Sequence, residues 1–431
     1  MIRLLLTLAV VALAGSPGLA QDAPARAALA PLLQAERTER ESAAEWRRRE
    51  RQYFVSADDR QLFDDAARSA WAYVARHYEP ATGLVNATWG YAYTTVWDIG
   101  SGVAALYCGH ALGFLDDAEY DLRMRRVLAT LRTMGIVEGT AFNKVYSTRT
   151  AAMIGRDRRP SSTGYGWSTT DMGRILVWLH IVATTQPAYA ADAAAIVQRF
   201  DFTKLVVDGY MRGQELDAQG TLQRYQEGEI GYEQYAARGF AAWGAPVDRA
   251  LRLDENGLPV AIMGRTLYAD ARGRDRLTSD PFVLMGLEVG WDPAMERFAR
   301  DLLAVQQARY RQTGRLTIVG EDSVSRPPHF FYYYSAWTQR KAFGVDVQTR
   351  GAFVDEPRWV SAKAAFAWHA LLPGPYTRLA VRSVQPARSA AGWGSGVFEA
   401  TGATTGSLNI NTAAVILTAA LVQQRGRPLT E

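Results

Sequence analysis

A single cysteine in 431 residues excludes an intrachain disulfide. Cys108 lies in an apolar run, where a thiol behaves as a small core residue. Histidine is almost as scarce. The five, His77, His110, His180, His329 and His369, are scattered and show neither HExxH nor CxxC spacing, so no zinc site is indicated and no cofactor is expected. There is no Gly-rich phosphate loop after a strand pattern, no Gly-x-Ser-x-Gly elbow and no EF-hand loop. A net charge of +4, with basic residues dispersed along the chain, gives no basis for nucleic-acid binding. The apolar run Leu4 to Ala14 is too short to span a bilayer, so no stable membrane insertion is expected.

That run has another meaning. Arg3 supplies a positive start and Gly18-Leu19-Ala20 a small-residue cleavage site before Gln21. Together they predict a signal peptide over residues 1–20, cut after Ala20, and hence a periplasmic or secreted protein. Residues 21–55 read as a charged helical linker or tether, and residues 56–428 as a single domain. Aromatic residues are plentiful, with 12 Trp and 20 Tyr, many of them at helix starts.

Helical spacing dominates that domain. Asp117 to Met134 and the segment opened by Asp292-Pro293 are amphipathic. Ser101–Leu112, Asp171–Val182, Pro281–Val289 and Thr412–Val422 are instead apolar nearly all round, which means burial on every side. Buried and amphipathic helices alternate, which predicts an inner ring within an outer one: an all-α, (α/α)6 toroid with minor β-hairpin content in its loops. A right-handed helical solenoid is the alternative. Clear outer helices are missing before Glu233, Asp280 and Asn411, and β-like runs occupy Leu258 to Leu267 and Leu316 to Val319.

Six inner helices launch from polar or aromatic segments, among them Trp97-Asp98-Ile99-Gly100-Ser101, Trp167-Ser168-Thr169-Thr170-Asp171 and Gly231-Tyr232-Glu233. Helix N-termini on one face of a ring would form an aromatic cup studded with acids, suited to carbohydrate. These segments, with Asn143-Lys144-Val145-Tyr146, Thr278-Ser279-Asp280-Pro281-Phe282 and Glu321-Asp322-Ser323, resemble the bacterial family DUF3131 over roughly residues 60–425. The resemblance implies kinship with (α/α)6 glycosidases, including glucoamylase-like and β-1,2-glucan-cleaving families. Fold alone does not assign activity.

Glycosidic cleavage commonly uses two carboxyl groups, so each acid is weighed against a structural task. Asp98 reads as an N-cap or, if Ser101 caps instead, as a cup-facing acid with Trp97 beside it to stack on sugar. Asp171 either complements the helix dipole or faces the cup, with Tyr165 and Trp167 as stacking partners. Glu321 and Asp322 lie in a loop of hydrogen-bonding residues followed by Phe330 to Tyr334, and function is the favoured reading. Glu233 is a first-turn acid or a pocket acid between Tyr232 and Tyr235. Asp280 before Pro281 fits an N-cap. Lys144, Arg149, Arg326 and His329 are candidates for sugar hydroxyls, and Tyr333 for stacking.

The expected activity is therefore glycoside hydrolysis of a glucan, by inversion, with Glu321 paired to Asp98 or Asp171. Two alternatives stand beside it: a lyase or hydrolase of an acidic exopolysaccharide, drawing on the Tyr332–Tyr334 run near Arg326, and a non-catalytic glycan-binding or envelope-assembly protein. The sequence names a carbohydrate partner and no protein partner.

Overall fold

A computed structural model describes residues 57–430 apart from 218, 273–275, 328, 337–341, 348–351 and 355–356. The predicted signal and tether lie outside the described residues.

The described residues form eleven helices of two turns or more: α1 (Ala57–His77), α2 (Val96–Ala111), α3 (Asp117–Thr133), α4 (Thr169–Thr185), α5 (Ala190–Val197), α6 (Tyr232–Ala242), α7 (Asp280–Glu288), α8 (Pro293–Thr313), α9 (Ala362–Leu371), α10 (Pro375–Ser383) and α11 (Ile410–Arg425). Six of them, α2, α4, α6, α7, α9 and α11, form a closed cycle in which each packs on the next and α11 returns to α2. They bury most of their residues. Small residues let them approach closely: a Cβ on Gly173 of α4 would collide with Ala236 of α6. Outside the cycle, α1 packs on α11, α3 on α2, α5 on α4, α8 on α7 and α10 on α9.

Two of the three outer helices that the sequence leaves missing are present. α5 precedes α6 and α10 precedes α11, both too short to show a long amphipathic pattern. Between α6 and α7 the described residues hold instead the hairpin of β3 (Gly257–Ile262) and β4 (Arg265–Asp270), packed against α8. A second hairpin, β1 (Tyr210–Leu216) with β2 (Leu222–Gln226), lies ahead of α6. The run Leu316 to Val319 is not a strand. The strand begins one residue later as β5 (Gly320–Ser323), which pairs antiparallel with β6 (Phe330–Tyr333), followed by β7 (Val345–Val347) and β8 (Ala352–Val354). Glu321 and Asp322 therefore stand on a sheet rather than in a loop.

Helix starts are set by local chemistry. Thr95 caps α2 in a reciprocal box with Asp98, Ser168 caps α4, Asn409 caps α11, and Asp292 with Pro293 opens α8. Ser101 is not a cap; it lies a full turn inside α2. Asp280 is not one either. Ser279 holds that position and Asp280 is the first residue of α7, its carboxylate turned to Lys363.

Candidate functional site

Two contiguous cavities, of about 200 Å³ and 420 Å³, open where the inner helices begin. Thr95, Trp97, Asp98, Tyr232, Glu321, Phe330 and Asn411 line both, so they are one cleft with two ends. The smaller end adds Asp280, Asp322, Lys363 and Arg174. The larger adds Lys144, Asp171, Glu215, Glu227, Glu229 and Tyr332.

Glu321 enters from β5, where strand alternation sends it and Ser323 to one side and Asp322 to the other. The Tyr232 hydroxyl donates to Glu321 Oε2 at 2.5 Å. Its backbone N–H donates to Asp280 Oδ2 at 2.9 Å. Burial, reinforced by the Asp280 charge, pushes the Glu321 carboxyl up to about 8; Lys363 and the Tyr232 hydrogen bond oppose this. The shift favours the protonated form of Glu321.

Lys363, the second residue of α9, holds the floor of this end together. It pairs with Asp280 at 2.7 Å and Asp322 at 3.4 Å, and donates to the Glu321 carbonyl. Asp322 also accepts from Trp359 Nε1 at 2.9 Å, and burial raises its carboxyl. It is 2% exposed, in the cavity floor rather than its wall.

Asp98 lines the same cleft from the start of α2. Its Oδ2 accepts from the Thr95 backbone N–H (3.1 Å) and hydroxyl (2.9 Å), and its Oδ1 from Asn411 Nδ2 (2.8 Å). It serves the helix start and lines the cleft at once, so the two readings of this residue are not exclusive. Burial raises its carboxyl, while the Thr95 and Asn411 bonds and the Arg174 charge pull it down.

Asp171 lines the larger end from the first turn of α4. Burial, with Glu227 and Asp98 nearby, pushes its carboxyl up to about 7 against a Ser168 hydrogen bond and the Lys144 charge. Lys144 itself pairs with Glu215 at 2.7 Å and donates to Tyr225 at 2.9 Å. Glu227 accepts from the Thr169 N–H and from the Thr169 hydroxyl at 2.7 Å. It therefore holds the first turn of α4, favoured by the helix dipole. Glu229 is held by Arg276 at 2.6 Å, and that guanidinium lies 3.7 Å over the Tyr332 ring.

Several sequence-based candidates stand elsewhere. Glu233 is 0% exposed and does not line the cleft: it pairs with Arg272 at 2.6 Å and accepts from Gln226 at 3.2 Å, packed under Gly228. Its neighbour Glu229 takes the place expected of it. Trp167 is fully buried, donating to the Arg212 carbonyl at 3.0 Å, and is closed to sugar. Tyr333 is buried on the core side of β6 against Glu399 (2.7 Å), whereas Phe330 and Tyr332, of the other parity, face the cleft. Tyr165 lines neither cavity. Arg149, Arg326 and His329 are exposed and outside the lining; Arg326 lies 4.4 Å over the Phe398 ring. Trp97, Tyr232 and Lys144 do line it.

The cleft residues that sequence reasoning did not single out are Lys363, Asn411, Arg174, Glu215 and Glu229, and Asp280, read there as a cap, lines it too. Among the described residues, no group of three or more His, Cys, Asp or Glu side chains is disposed to hold a metal ion. No described helix is long and apolar enough to cross a membrane.

The fold is shared with several solved structures. A glucoamylase-like protein of Bacteroides caccae aligns over 86% of this chain and 94% of its own, at 15% identity and a TM-score of 0.64. The endo-β-1,2-glucanase of Chitinophaga pinensis, solved with sophorotriose and glucose, aligns over 86% and 94% at 13% identity and a TM-score of 0.62. The endo-β-1,2-glucanase of Talaromyces funiculosus, solved with sophorose, aligns over 85% and 86% at 12% identity and a TM-score of 0.53. At such identities the likeness establishes the fold. No curated protein matches the chain. Residues 65–426 match the model of DUF3131, described as a protein of unknown function, and the chain belongs to that family.

Proposed function

We propose that this protein is a glycoside hydrolase on an (α/α)6 toroid, cleaving a neutral glucan by inversion. One observation carries the reading: Glu321, a buried carboxyl held by Tyr232, lies in the same cleft as Asp98 and Asp171. Glu321 is the general acid for the glycosidic oxygen, its Oε2 held by Tyr232 and its other oxygen directed to substrate. Asp98 or Asp171 activates the water. In inverting enzymes such a pair stands ~6.5–9.5 Å apart, leaving room for that water. Trp97 and Tyr332 provide ring faces for sugar, and the polar cleft walls provide partners for hydroxyls. The glucanase names of the structural relatives support a glucan as substrate.

A uronate-bearing substrate suits this cleft poorly. Carboxylates dominate its wall, and Lys144 is paired to Glu215. Arg326 and His329, on which a lyase would draw, stand outside it. The test is product release by the purified chain from a panel of glucans that includes β-1,2-glucan, with the first-formed anomer followed by proton NMR. Cleavage with an α-anomer formed from a β-linkage is the expected result. Retention of configuration overturns the inverting mechanism, and no cleavage across the panel overturns the hydrolase.

Residues 1–20 are proposed to direct export to the periplasm or beyond. Sequencing the N-terminus of the protein expressed in a bacterial host should read from Gln21; a mature chain that still carries Met1 refutes this.

A further inference from the structure

Beneath the cleft, a chain of hydrogen bonds joins five of the six inner helices. Glu288, at the end of α7 and 0% exposed, pairs with Arg174 Nη1 of α4 at 3.2 Å and accepts from the Tyr235 hydroxyl of α6 at 2.5 Å. Arg174 Nη1 also donates to that hydroxyl at 2.8 Å. Its Nε donates to the Ser101 hydroxyl of α2 at 3.0 Å. Ser101 donates to Asn411 Oδ1 of α11 at 2.6 Å, and Asn411 Nδ2 donates to Asp98 Oδ1 at 2.8 Å. Gly100 allows the approach, since a Cβ there would stand 2.9 Å from Arg174 Cγ.

A guanidinium has only donors, so the Ser101 oxygen must accept from Arg174. Its one proton is then free for Asn411, and the carboxamide stands with oxygen toward Ser101 and NH2 toward Asp98. With the Thr95 N–H and hydroxyl on the other oxygen, three donors converge on Asp98. Such a shell favours the carboxylate over the acid, because each of the three donors is stronger to a charged acceptor.

We propose that Arg174, acting through Ser101 and Asn411, is the positioning residue that holds the Asp98 carboxyl in one orientation within the cleft and favours its anion against the burial around it. The groups facing Asp98 are consistent with that task. Arg174 contributes a positive charge from α4, with Asp171 on the same helix; Tyr73 approaches from α1, Tyr91 from the loop before α2, and Glu321 across the cavity. Of these neighbours Asp171 is the acid whose charge opposes an anion at Asp98, so the Asp98 charge depends on the donors behind it. The meaning of this for catalysis rests on the hydrolase reading above; the orientation of the carboxylate does not.

The test is a carbon-13 titration of the full chain labelled at aspartate carboxyl carbons, with the Asp98 line identified by its loss in Asp98→Asn. Ser101→Ala removes a single hydroxyl and frees the Asn411 amide to turn its oxygen toward Asp98. The Asp98 midpoint should then rise by about one unit or more. Arg174→Lys keeps the charge but loses the fork, and should give a rise smaller than that of Arg174→Met. If both Ser101→Ala and Arg174→Lys are folded and titrate at Asp98 within about 0.3 unit of the native chain, the proposal is overturned. Should Arg174→Met fail to fold, Ser101→Ala still decides the matter. A native chain that cleaves no glucan, with the Asp98 shift present, removes the hydrolase and keeps the positioning role. Cleavage without the shift does the reverse.

Discussion

Glu321→Gln is expected to reduce turnover on an unactivated glucan by about 10²- to 10⁴-fold, the usual contribution of a general acid. The glutamine still accepts from Tyr232 and fills the same space, but has no proton to give to the leaving oxygen. Its stability should be preserved. The native carboxyl is raised to about 8, above its value in an unfolded chain, so the native state binds the extra proton between those two values. That contribution is fully present at acid pH and is lost as pH rises through about 8. The glutamine has no such term and should match or exceed the native protein in the alkaline range. The same carboxyl sets the alkaline limb of kcat/KM near pH 8, because the acid must be protonated to act. Aryl glycosides with an acidic leaving group need less protonation, so the variant should recover much of its deficit on them. Equal losses on activated and unactivated substrates would assign Glu321 another role, and an unchanged rate would remove it from the reaction.

The parts of this molecule that were legible in the sequence are those governed by short-range chemistry. The 3.6-residue periodicity and the Asp292-Pro293 start need only neighbours along the chain. Ring closure follows from helices such as α4, which are apolar on all sides and so have no face for solvent. Tyr333 shows the first kind of failure. In a five-residue aromatic run the strand phase cannot be set from within, and only the pairing of Glu321 with Tyr332 fixes which parity meets the cleft. Glu233 shows the second: an acid at a helix start can point up to ligand or down to Arg272, and the cation that decides lies in the turn just after the β3–β4 hairpin, far along the chain. Lys363 and Asn411 show the third. Lys363 sits in an Ala-rich run where a lysine would ordinarily be solvated, and its carboxylate partners come from α7 and β5. Asn411 and Ser101 are 310 residues apart. The position of Asp98 is legible because its part in the helix cap and its place in the cleft lining derive from the same few residues.

The largest expected effect on stability comes from the centre of the ring. Arg174 and Glu288 are 1% and 0% exposed, and the guanidinium is flanked by Trp97 at 5.0 Å and Tyr235. Glu288→Ala leaves that cation buried without its counter-charge, and an arginine cannot escape by losing its proton. The cost should be about 3–5 kcal/mol, measured by urea denaturation of the full chain. Glu288→Gln keeps the volume and an acceptor for Tyr235, and should lose less. A loss below about 1 kcal/mol for Glu288→Ala would mean that the cation is neutralised in another way. The double variant Arg174→Met with Glu288→Leu separates stability from function. Replacing a buried pair by apolar residues of similar volume is often neutral or favourable, so much of the lost stability should return. Activity should not return with it. Nothing then donates to Ser101, whose hydroxyl is free to choose its partner, and the amide of Asn411 is no longer compelled to face Asp98. A stable ring with an unrestrained Asp98 is the expected state, and recovery of turnover together with stability would show that the ion pair serves the fold alone.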